Sequence, residues 1–304
     1  MTYKILYHFM PWEIDYALLS FTQLKKSKYY IPEDVNIEIE TVLNLSSYII
    51  DWDNSKLPKE FFLEKYNQIS KLLVDYNHSK KIYDSKEIYG HLDFQKECIA
   101  DHIDFYINIC PDIYFSEHLF SLLIQSSQQV NNKYFVITPE ISKLWDFTWD
   151  EITNPEYLNI SYDQWNEVDV FDIRNKLKIN SPDIFISNVQ KHKWAGWFDL
   201  YNKKMWEELC PIQEEWTGYG PHDWYSLIIT EHVKSLGVDF QQYVLRGQTI
   251  FEYSVGPLKD GGFSNYYKDM LTLNKIPNQR KEFESKMNEY LQKGIQQLKN
   301  KQII

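Results

Sequence analysis

The first 141 residues alternate short β-rich runs with amphipathic helical segments, and this alternation constrains the fold more than any other feature of the chain. Residues 3–9 and 37–42 have the composition of strands, and residues 13–30 between them place apolar side chains at helical spacing. Strands joined by helices form parallel sheets whose faces the helices cover, so this order predicts an α/β fold. The same patterns predict strands at 80–84, 104–110 and 133–141 and helices at 58–73, 90–103 and 113–129.

The second half of the chain is less regular. Residues 195–209 predict a turn leading into a helix, and residues 214–224 form a Gly- and Pro-containing loop before another helix. One or two strands are expected within 238–253, and an amphipathic helix with one apolar stripe within 278–300. We therefore expect one domain over residues 1–277, followed by a C-terminal helix over 278–304.

Composition excludes several classes of protein. The 304 residues carry 43 acidic and 32 basic side chains, a net charge of −11, which disfavours binding to duplex nucleic acid. Three cysteines without CxxC spacing exclude a disulfide scaffold and the usual structural zinc modules. The sequence has no apolar run of about 18 residues and no signal-peptide pattern, so we expect a cytoplasmic protein.

The segment 108–115, NICPDIYF, is the first candidate for chemistry. An apolar strand that ends in an acid delivers a carboxylate to the crevice at the carboxyl ends of the strands in an open α/β sheet. Asp112 is that acid. A carboxylate there suits Mg²⁺ or Mn²⁺, which prefer oxygen ligands. The residues fit a second interpretation equally well, in which Asp112 caps the helix that follows.

The second candidate is the loop WTGYGPHDW, residues 216–224, in which Asp223 opens a predicted helix. The helix dipole at that position keeps a carboxylate ionised, as a general base must be at neutral pH. Asp223 fits an N-cap as well as it fits a base.

The order of elements and the two motifs resemble nucleotide-sugar glycosyltransferases of the GT-A fold, over residues 3–253. In that fold the fourth strand ends in a DxD motif, and here Cys110-Pro111-Asp112 stands in its place. The resemblance implies a mixed Rossmann-type sheet flanked by helices, in which Asp112 binds Mn²⁺ or Mg²⁺. It also implies that Asp223 deprotonates an acceptor hydroxyl in an inverting reaction. Cys110, where the family has an acid, and His222, where it often has a second acid, are departures from the pattern.

The resemblance further divides the domain into a nucleotide-binding part, about 1–140, and an acceptor-side part, about 141–277. It implies nucleotide contacts from the end of the first strand, from an acid near the base, from a basic helix position and from the DxD place: His8, Phe9, Pro11, Asp84, Lys96 and Cys110. Aromatic rings stack on sugars, which favours an acceptor or sugar site around Trp197, Trp216, Tyr219, His222 and Trp224.

Several other residues have two interpretations. Asp51-Trp52-Asp53 is a literal DxD, but it comes after only two predicted strands. His192 suits a metal ligand or a structural histidine, and Arg246 suits a phosphate contact or a structural ion pair.

The expected function is transfer of a hexose from a nucleotide-diphosphate sugar, with UDP-sugar favoured, to a glycan or other hydroxyl acceptor. The alternative is a catalytically inactive GT-A-like protein that binds carbohydrate or acts as a scaffold. For the C-terminal helix we consider docking on the domain, homodimer formation and peripheral contact with an anionic membrane.

Overall fold

The computed structural model describes residues 1–45, 57–86, 89, 91–142, 150–158, 186–189, 198–209, 233–252, 289, 292–293 and 295–304. The strands of this part of the chain are β1 (Thr2–Phe9), β2 (Asn36–Asn44), β3 (Asn77–Tyr83), β4 (Phe105–Ile109), β5 (Ile113–Tyr114), β6 (Tyr134–Ile141), β7 (Ile186–Asn188), β8 (Phe198–Asn202) and β9 (Phe240–Glu252). Its longer helices are α1 (Ile14–Ser27), α2 (Lys59–Ser70), α3 (His91–Glu97) and α4 (Leu119–Ser127).

The strands form one mixed sheet in the order β3-β2-β1-β4-β8-β6-β9-β5, with β7 paired to β9. The four strands from β3 to β4 are parallel, which confirms the parallel opening expected from the alternation of strands and helices. β8 is antiparallel to both β4 and β6, while β6 and β9 are parallel. The result is a mixed sheet flanked by helices, as expected from the sequence.

Alternate residues of β1, β2 and β4 build two different faces of this sheet. The first, which we call the apolar face, carries Tyr3, Ile5, Tyr7 and Phe9 from β1 and packs against α1 through Ala17, Phe21 and Leu24. This packing explains why the segment 14–27 is helical, because its buried side chains recur every three to four residues.

The second face, which we call the polar face, contains buried polar side chains: Lys4, His8, Glu40, Asn44 and Asn108. These residues alternate with the apolar ones, as the period of two along a strand requires. Two of them bind each other, since Lys4 Nζ lies 3.2 Å from the Glu40 carboxylate.

Residues 198–202 correct the expected helix over 195–209. They form β8 between β4 and β6, and the helical part of the expected segment is confined to 203–209, where Met205–Leu209 form a π-helical turn. Phe198 and Leu200 pack in the apolar core, while Tyr201 packs with Met205 and Trp206 on the other side of the sheet, so the local period is two. Pairing on both edges of β8 outweighs the local helical tendency.

Two other elements differ from the expected bounds. Ile113–Tyr114 pair with β9 rather than starting the helix expected at 113–129, and α4 covers only Leu119–Ser127. The region 238–253 contains a single strand, β9, whose pairing with β6 shifts register after Pro139.

The described end of the chain docks on the domain. Leu298 is buried in the cluster formed with Met205, Trp206 and Phe240, and Ile303 and Ile304 pack against that cluster. Lys301 Nζ donates to the carbonyl of Glu207 at 3.0 Å. Of the three arrangements considered for the C-terminal helix, these contacts are those of docking. Within the described ranges, no helix has the length and apolar character needed to cross a membrane.

Candidate functional site

Asp112 lies in a tight turn at the carboxyl end of β4. The amide of Ile113 donates to the carbonyl of Cys110 at 3.3 Å, and Pro111 occupies the second position of the turn, which its fixed φ favours. Asp112 is 4% exposed. The N-cap of α4 is His118, whose amide hydrogen bonds to Ser116 Oγ at 3.2 Å, so Asp112 does not cap that helix.

The end of β1 lies beside this turn. β1 and β4 are parallel neighbours with Tyr7 opposite Ile109, so the two strands end at the same edge of the sheet. After β1 the chain forms a 3-10 turn over Pro11–Glu13. Glu13 closes this turn, because its carboxylate accepts the amide of Met10 at 2.8 Å and its own amide donates to the carbonyl of Met10 at 3.0 Å.

Glu13 and Asp112 interact electrostatically. Burial raises the pKa of the Glu13 carboxyl well above its usual range, and the negative charge of Asp112 raises it further, although the hydrogen bond from Met10 opposes both. Burial also raises the pKa of the Tyr16 phenol, with further contributions from Asp112, Asp15 and Glu13. The turn after β4 and the turn after β1 therefore bring two carboxylates into one electrostatic environment. Sequence patterns do not identify Glu13, because an acid before a helix resembles an ordinary first-turn residue.

The predicted nucleotide contacts occupy different environments. Phe9 is fully buried in the apolar face, where its ring packs edge-on against Tyr66 at 5.2 Å, so the structure places it in the core. His8 is buried on the polar face, with Tyr89 and Phe94 as ring neighbours at 5.8 Å and 6.1 Å. Pro11 is buried at the start of the 3-10 turn.

The remaining predicted donor-side residues lie in different parts of the structure. Cys110 is half-buried in the turn that contains Asp112. Asp84 follows β3, is exposed and pairs with Lys59. Lys96 lies half-buried on α3. The structure brings Cys110, Asp112 and the end of β1 to one edge of the sheet, and Asp84 directly follows the outermost of the four parallel strands.

A second buried carboxylate lies beside the end of β4. Asp199 on β8 pairs with Asn108 on β4, is fully buried, and accepts a hydrogen bond from Thr138 Oγ1 at 2.9 Å. Asn108 in turn accepts one from the Tyr201 hydroxyl at 3.3 Å. Sequence reasoning missed this polar row because it predicted a helix for residues 198–202.

Arg246 forms a structural ion pair. Its guanidinium donates to Glu140 Oε1 at 3.3 Å, to Ser187 Oγ at 3.1 Å and to the carbonyl of Glu151 at 2.7 Å. These bonds join β9 to β6, to β7 and to the segment 150–158. Of the two interpretations of Arg246, the structure supports the ion pair.

The acceptor-side predictions lie outside the described residues. This group comprises the predicted base and the surrounding aromatic and histidine positions: Asp223, Trp197, Trp216, Tyr219, His222 and Trp224. Asp51-Trp52-Asp53 and His192 also lie outside.

The metal expected at Asp112 has an incomplete set of protein ligands in the described part of the chain. No group of three or more His, Cys, Asp or Glu side chains there is arranged to hold an ion alone. Mg²⁺ and Mn²⁺ sites of nucleotide enzymes commonly use one or two carboxylates and complete their coordination with substrate phosphates and water. The Glu13 and Asp112 carboxylates supply oxygen donors of that number and kind.

Comparisons with known proteins give similarity of structure only. No family model and no curated protein matches the chain. Solved structures do, among them S. aureus TarS residues 1–349 with UDP-GlcNAc, at 11% identity and a TM-score of 0.40 over 82% of this chain and 58% of that one. GalNAc-T7 with UDP, GalNAc and Mn²⁺ matches at 10% identity and a TM-score of 0.48, over 83% and 44% of the two chains.

Mouse xyloside xylosyltransferase 1 in its apo form matches at 10% identity and a TM-score of 0.39, over 77% of this chain and 83% of that one. The chain thus spans less than two thirds of the TarS and GalNAc-T7 structures. The likeness to all three is one of fold at low sequence identity.

Proposed function

We propose that this chain is a glycosyltransferase that moves a hexose from a nucleotide-diphosphate sugar to an acceptor hydroxyl. The observation that carries the proposal is the position of Asp112, in a turn directly after β4 at the carboxyl edge of four parallel strands. Open α/β sheets bind their ligands at that edge. The GT-A resemblance implies a donor diphosphate there and favours UDP as the nucleotide.

In this proposal Asp112 and Glu13 would be the side chains that hold a divalent cation for the donor. A bound Mn²⁺ or Mg²⁺ supplies charge neutralisation of the diphosphate as it leaves. The chain's own contribution is to position the two carboxylates rigidly, through the Cys110–Ile113 turn and the 3-10 turn that Glu13 closes.

Asp223 is the proposed general base. The acceptor oxygen attacks the anomeric carbon while the bond from that carbon to the diphosphate oxygen breaks, and the hydroxyl proton passes to the Asp223 carboxylate. Attack opposite the leaving group inverts the anomeric configuration. We expect Asp223→Asn to lower kcat about 100-fold or more, the scale of general-base catalysis, with little change in nucleotide affinity. Equal losses of both would contradict the role of Asp223 as a base.

Nucleotide binding followed by donor hydrolysis tests the proposal. Thermal shift and calorimetry with UDP, GDP and CMP, each with and without Mn²⁺, should find one nucleotide whose binding stabilises the protein more when the metal is present. Slow hydrolysis of the matching nucleotide sugar without acceptor should follow. If none of the nucleotides binds, the glycosyltransferase proposal fails.

A catalytically inactive carbohydrate-binding or scaffold protein is the second candidate, and Cys110 is the observation that favours it. A thiol stands where the family has the first acid of its metal motif. Nucleotide binding without any hydrolysis or transfer would support this alternative.

A further inference from the structure

We infer that Glu140, at the end of β6, is a positioning residue of the proposed donor site, because it holds β9 in the conformation that supports the turn containing Asp112. This inference rests on the proposed function, since it concerns the same edge of the sheet. Glu140 acts through β9 and the two-residue strand β5, and the donor itself is bound by other side chains.

β9 changes its partner along its length. Residues Phe240–Leu245 run parallel to β6, whereas Phe251 and Glu252 pair antiparallel with β5. β5 directly follows Asp112, and its first residue, Ile113, lies opposite Glu252. The end of β9 is therefore a direct neighbour of the chain that leaves the Asp112 turn.

A bulge separates the two parts of β9. The register of β6 with β9 shifts after Pro139, and Glu140 lies opposite Thr249, so residues 246–248 form an insertion. Gly247 in this insertion has a φ of 76°, in the left-handed region that favours glycine. Bulges bend a strand and increase its twist, and they are common beside active sites. The bulge thus sets the direction in which β9 approaches β5.

The Glu140 carboxylate closes this bulge. It accepts the amide of Gly247 at 3.1 Å through Oε2 and the guanidinium of Arg246 at 3.3 Å through Oε1. The Glu140 side chain is only 6% exposed. Hydrogen bonds to a charged group are strong, and exclusion of water strengthens them further. One carboxylate therefore holds two consecutive residues of the insertion against β6.

Arg246 extends this support toward β5. Its Nη2 donates to the carbonyl of Glu151 at 2.7 Å, which ties the segment 150–158 to the bulge. Tyr157 of that segment packs edge-on against Phe251, with the ring centroids 5.6 Å apart. Phe251 is one of the two residues of β9 that pair with β5, so direct contacts lead from the bulge to the chain after the Asp112 turn.

Glu40 provides a matched control. It is also a buried carboxylate on a strand of the sheet, and it pairs with a cation, Lys4 Nζ, at 3.2 Å. It lies on β2, which β1 separates from β4, and so it is remote from the β9 bulge. Glu40→Gln weakens a buried ion pair without disturbing the bulge. An effect confined to Glu140→Gln therefore cannot come from loss of stability alone.

Hydrogen exchange of the protein without metal or nucleotide tests the structural step. The amide of Ile113, which donates to the carbonyl of Cys110 at 3.3 Å, reports on opening of the turn. Glu140→Gln should speed exchange in residues 110–115 about tenfold or more, the scale on which a hydrogen bond to a charged group contributes. Glu40→Gln should leave exchange in these residues at the wild-type rate.

Calorimetry with UDP, in EDTA and in saturating Mn²⁺, tests the functional step on the full chain. The wild-type protein should bind UDP more tightly with Mn²⁺. Glu140→Gln should lower that gain about tenfold, the lower end of the range for residues that orient metal ligands. Its affinity for UDP in EDTA should be unchanged, and Glu40→Gln should match the wild type in both conditions.

A second variant replaces Glu140→Gln if thermal unfolding shows that the latter does not fold. Gly247→Ala keeps the charges of Glu140 and Arg246, but its Cβ disfavours the left-handed conformation that the bulge requires. Exchange in residues 110–115 and the Mn²⁺-dependent gain should change in the same directions.

The two measurements separate the inference from the proposed function. Unchanged exchange in residues 110–115 would overturn the inference, and so would equal changes in Glu140→Gln and Glu40→Gln. A Mn²⁺-dependent gain that Glu140→Gln leaves intact, or UDP binding by the wild type that Mn²⁺ does not change, would overturn the functional step. If neither UDP, GDP nor CMP binds to the wild-type protein, the proposed function fails, while faster exchange in Glu140→Gln would still show that Glu140 holds the turn.

Discussion

Glu40 lies on β2 and Glu13 lies in the turn that follows β1, and the surroundings of these two carboxylates have opposite charge. Glu40, on the polar face, lies 3.2 Å from Lys4 Nζ and 2.7 Å from Lys81 Nζ. Burial alone would raise the pKa of Glu40, but the hydrogen bonds and charges of the two lysines outweigh burial and lower it. The pKa of Glu13 is instead raised, by burial and by the charge of Asp112.

The difference distinguishes a finished structural cluster from a candidate binding site. The charge of Glu40 is neutralised by the chain itself, so no ligand is needed to stabilise it. Within the described part of the chain Glu13 forms no ion pair, and a neighbouring carboxylate adds to its negative charge. A carboxyl whose pKa is raised by burial and by a like charge is typical of functional sites.

The largest effect is expected from neutralising Glu40. Glu40→Gln leaves the Lys4 ammonium, whose side chain is 10% exposed, without a counter-charge. Removing one partner of a buried ion pair costs about 3 to 5 kcal/mol, and partial exposure of Lys81 favours the lower value. Urea unfolding measures the loss. A change below about 1 kcal/mol would show that the cluster is not a structural requirement.

Removing both charges should reverse most of that loss. In the Lys4→Met/Glu40→Leu double variant two apolar side chains replace the pair, and Lys81 keeps Glu97 as a partner at 3.6 Å. Buried ion pairs replaced by apolar residues of similar volume are often neutral in stability. Unfolding free energy should return to within about 1 kcal/mol of the wild type. A double variant as unstable as Glu40→Gln would contradict this reasoning.

Neutralising Glu13 should have a smaller effect of the opposite sign. Glu13→Gln can still accept the Met10 amide but no longer repels Asp112, so the metal-free protein should become more stable. The expected gain is about 1 kcal/mol, the equivalent of one unit of pKa shift. Thermal unfolding in EDTA, at a pH above 8, provides the measurement. A lower melting temperature would show that the two carboxylates are not in repulsive contact.

The smallest expected effect is on how the free energy of unfolding depends on pH. The pKa of Glu40 is lower in the folded protein than in the unfolded chain, so ionised Glu40 stabilises the fold. This stabilisation is complete above the ordinary glutamate pKa, near 4.3, and is lost as the pH falls below that value. His78, whose pKa burial lowers to about 4, loses its contribution earlier, as the pH falls from about 6.5 to 4.

Urea unfolding between pH 7 and 3 separates these contributions. His78→Gln should flatten the dependence of unfolding free energy on pH above 4, and Glu40→Gln should flatten it below. Identical pH profiles for the two variants and the wild type would contradict both assignments.

The sequence predicts the parallel half of this fold well because its signals are local. The strands near 3–9, 37–42 and 104–110 have apolar runs bounded by turn residues, and the structure places β1, β2 and β4 there. The prediction of a helix at residues 198–202 is wrong. These residues form the strand β8 because they pair with β4 and β6, and local periodicity does not encode that pairing.

In the candidate site, too, the sequence predicts some residues while others are identified only by contacts between distant segments. Asp112 follows a strand directly, so its place at the carboxyl edge of the sheet can be inferred from the sequence. Glu13 reaches that edge only because β1 and β4, about 100 residues apart in the chain, are neighbours in the sheet. The alternatives for Arg246 were likewise decided by contacts with Glu140, Ser187 and Glu151 that are remote in sequence.

The most direct test of the proposed function compares Mn²⁺-dependent nucleotide binding by the wild type and by Asp112→Asn. UDP, GDP and CMP are titrated into each protein by calorimetry, with Mn²⁺ and with EDTA, and Asp15→Asn is the control for loss of a nearby charge. We predict that one nucleotide binds the wild type and the control more tightly with Mn²⁺, and that Asp112→Asn loses this gain. If no nucleotide binds, or if Asp112→Asn keeps the full gain, the assignment of this sheet edge as a donor site is wrong.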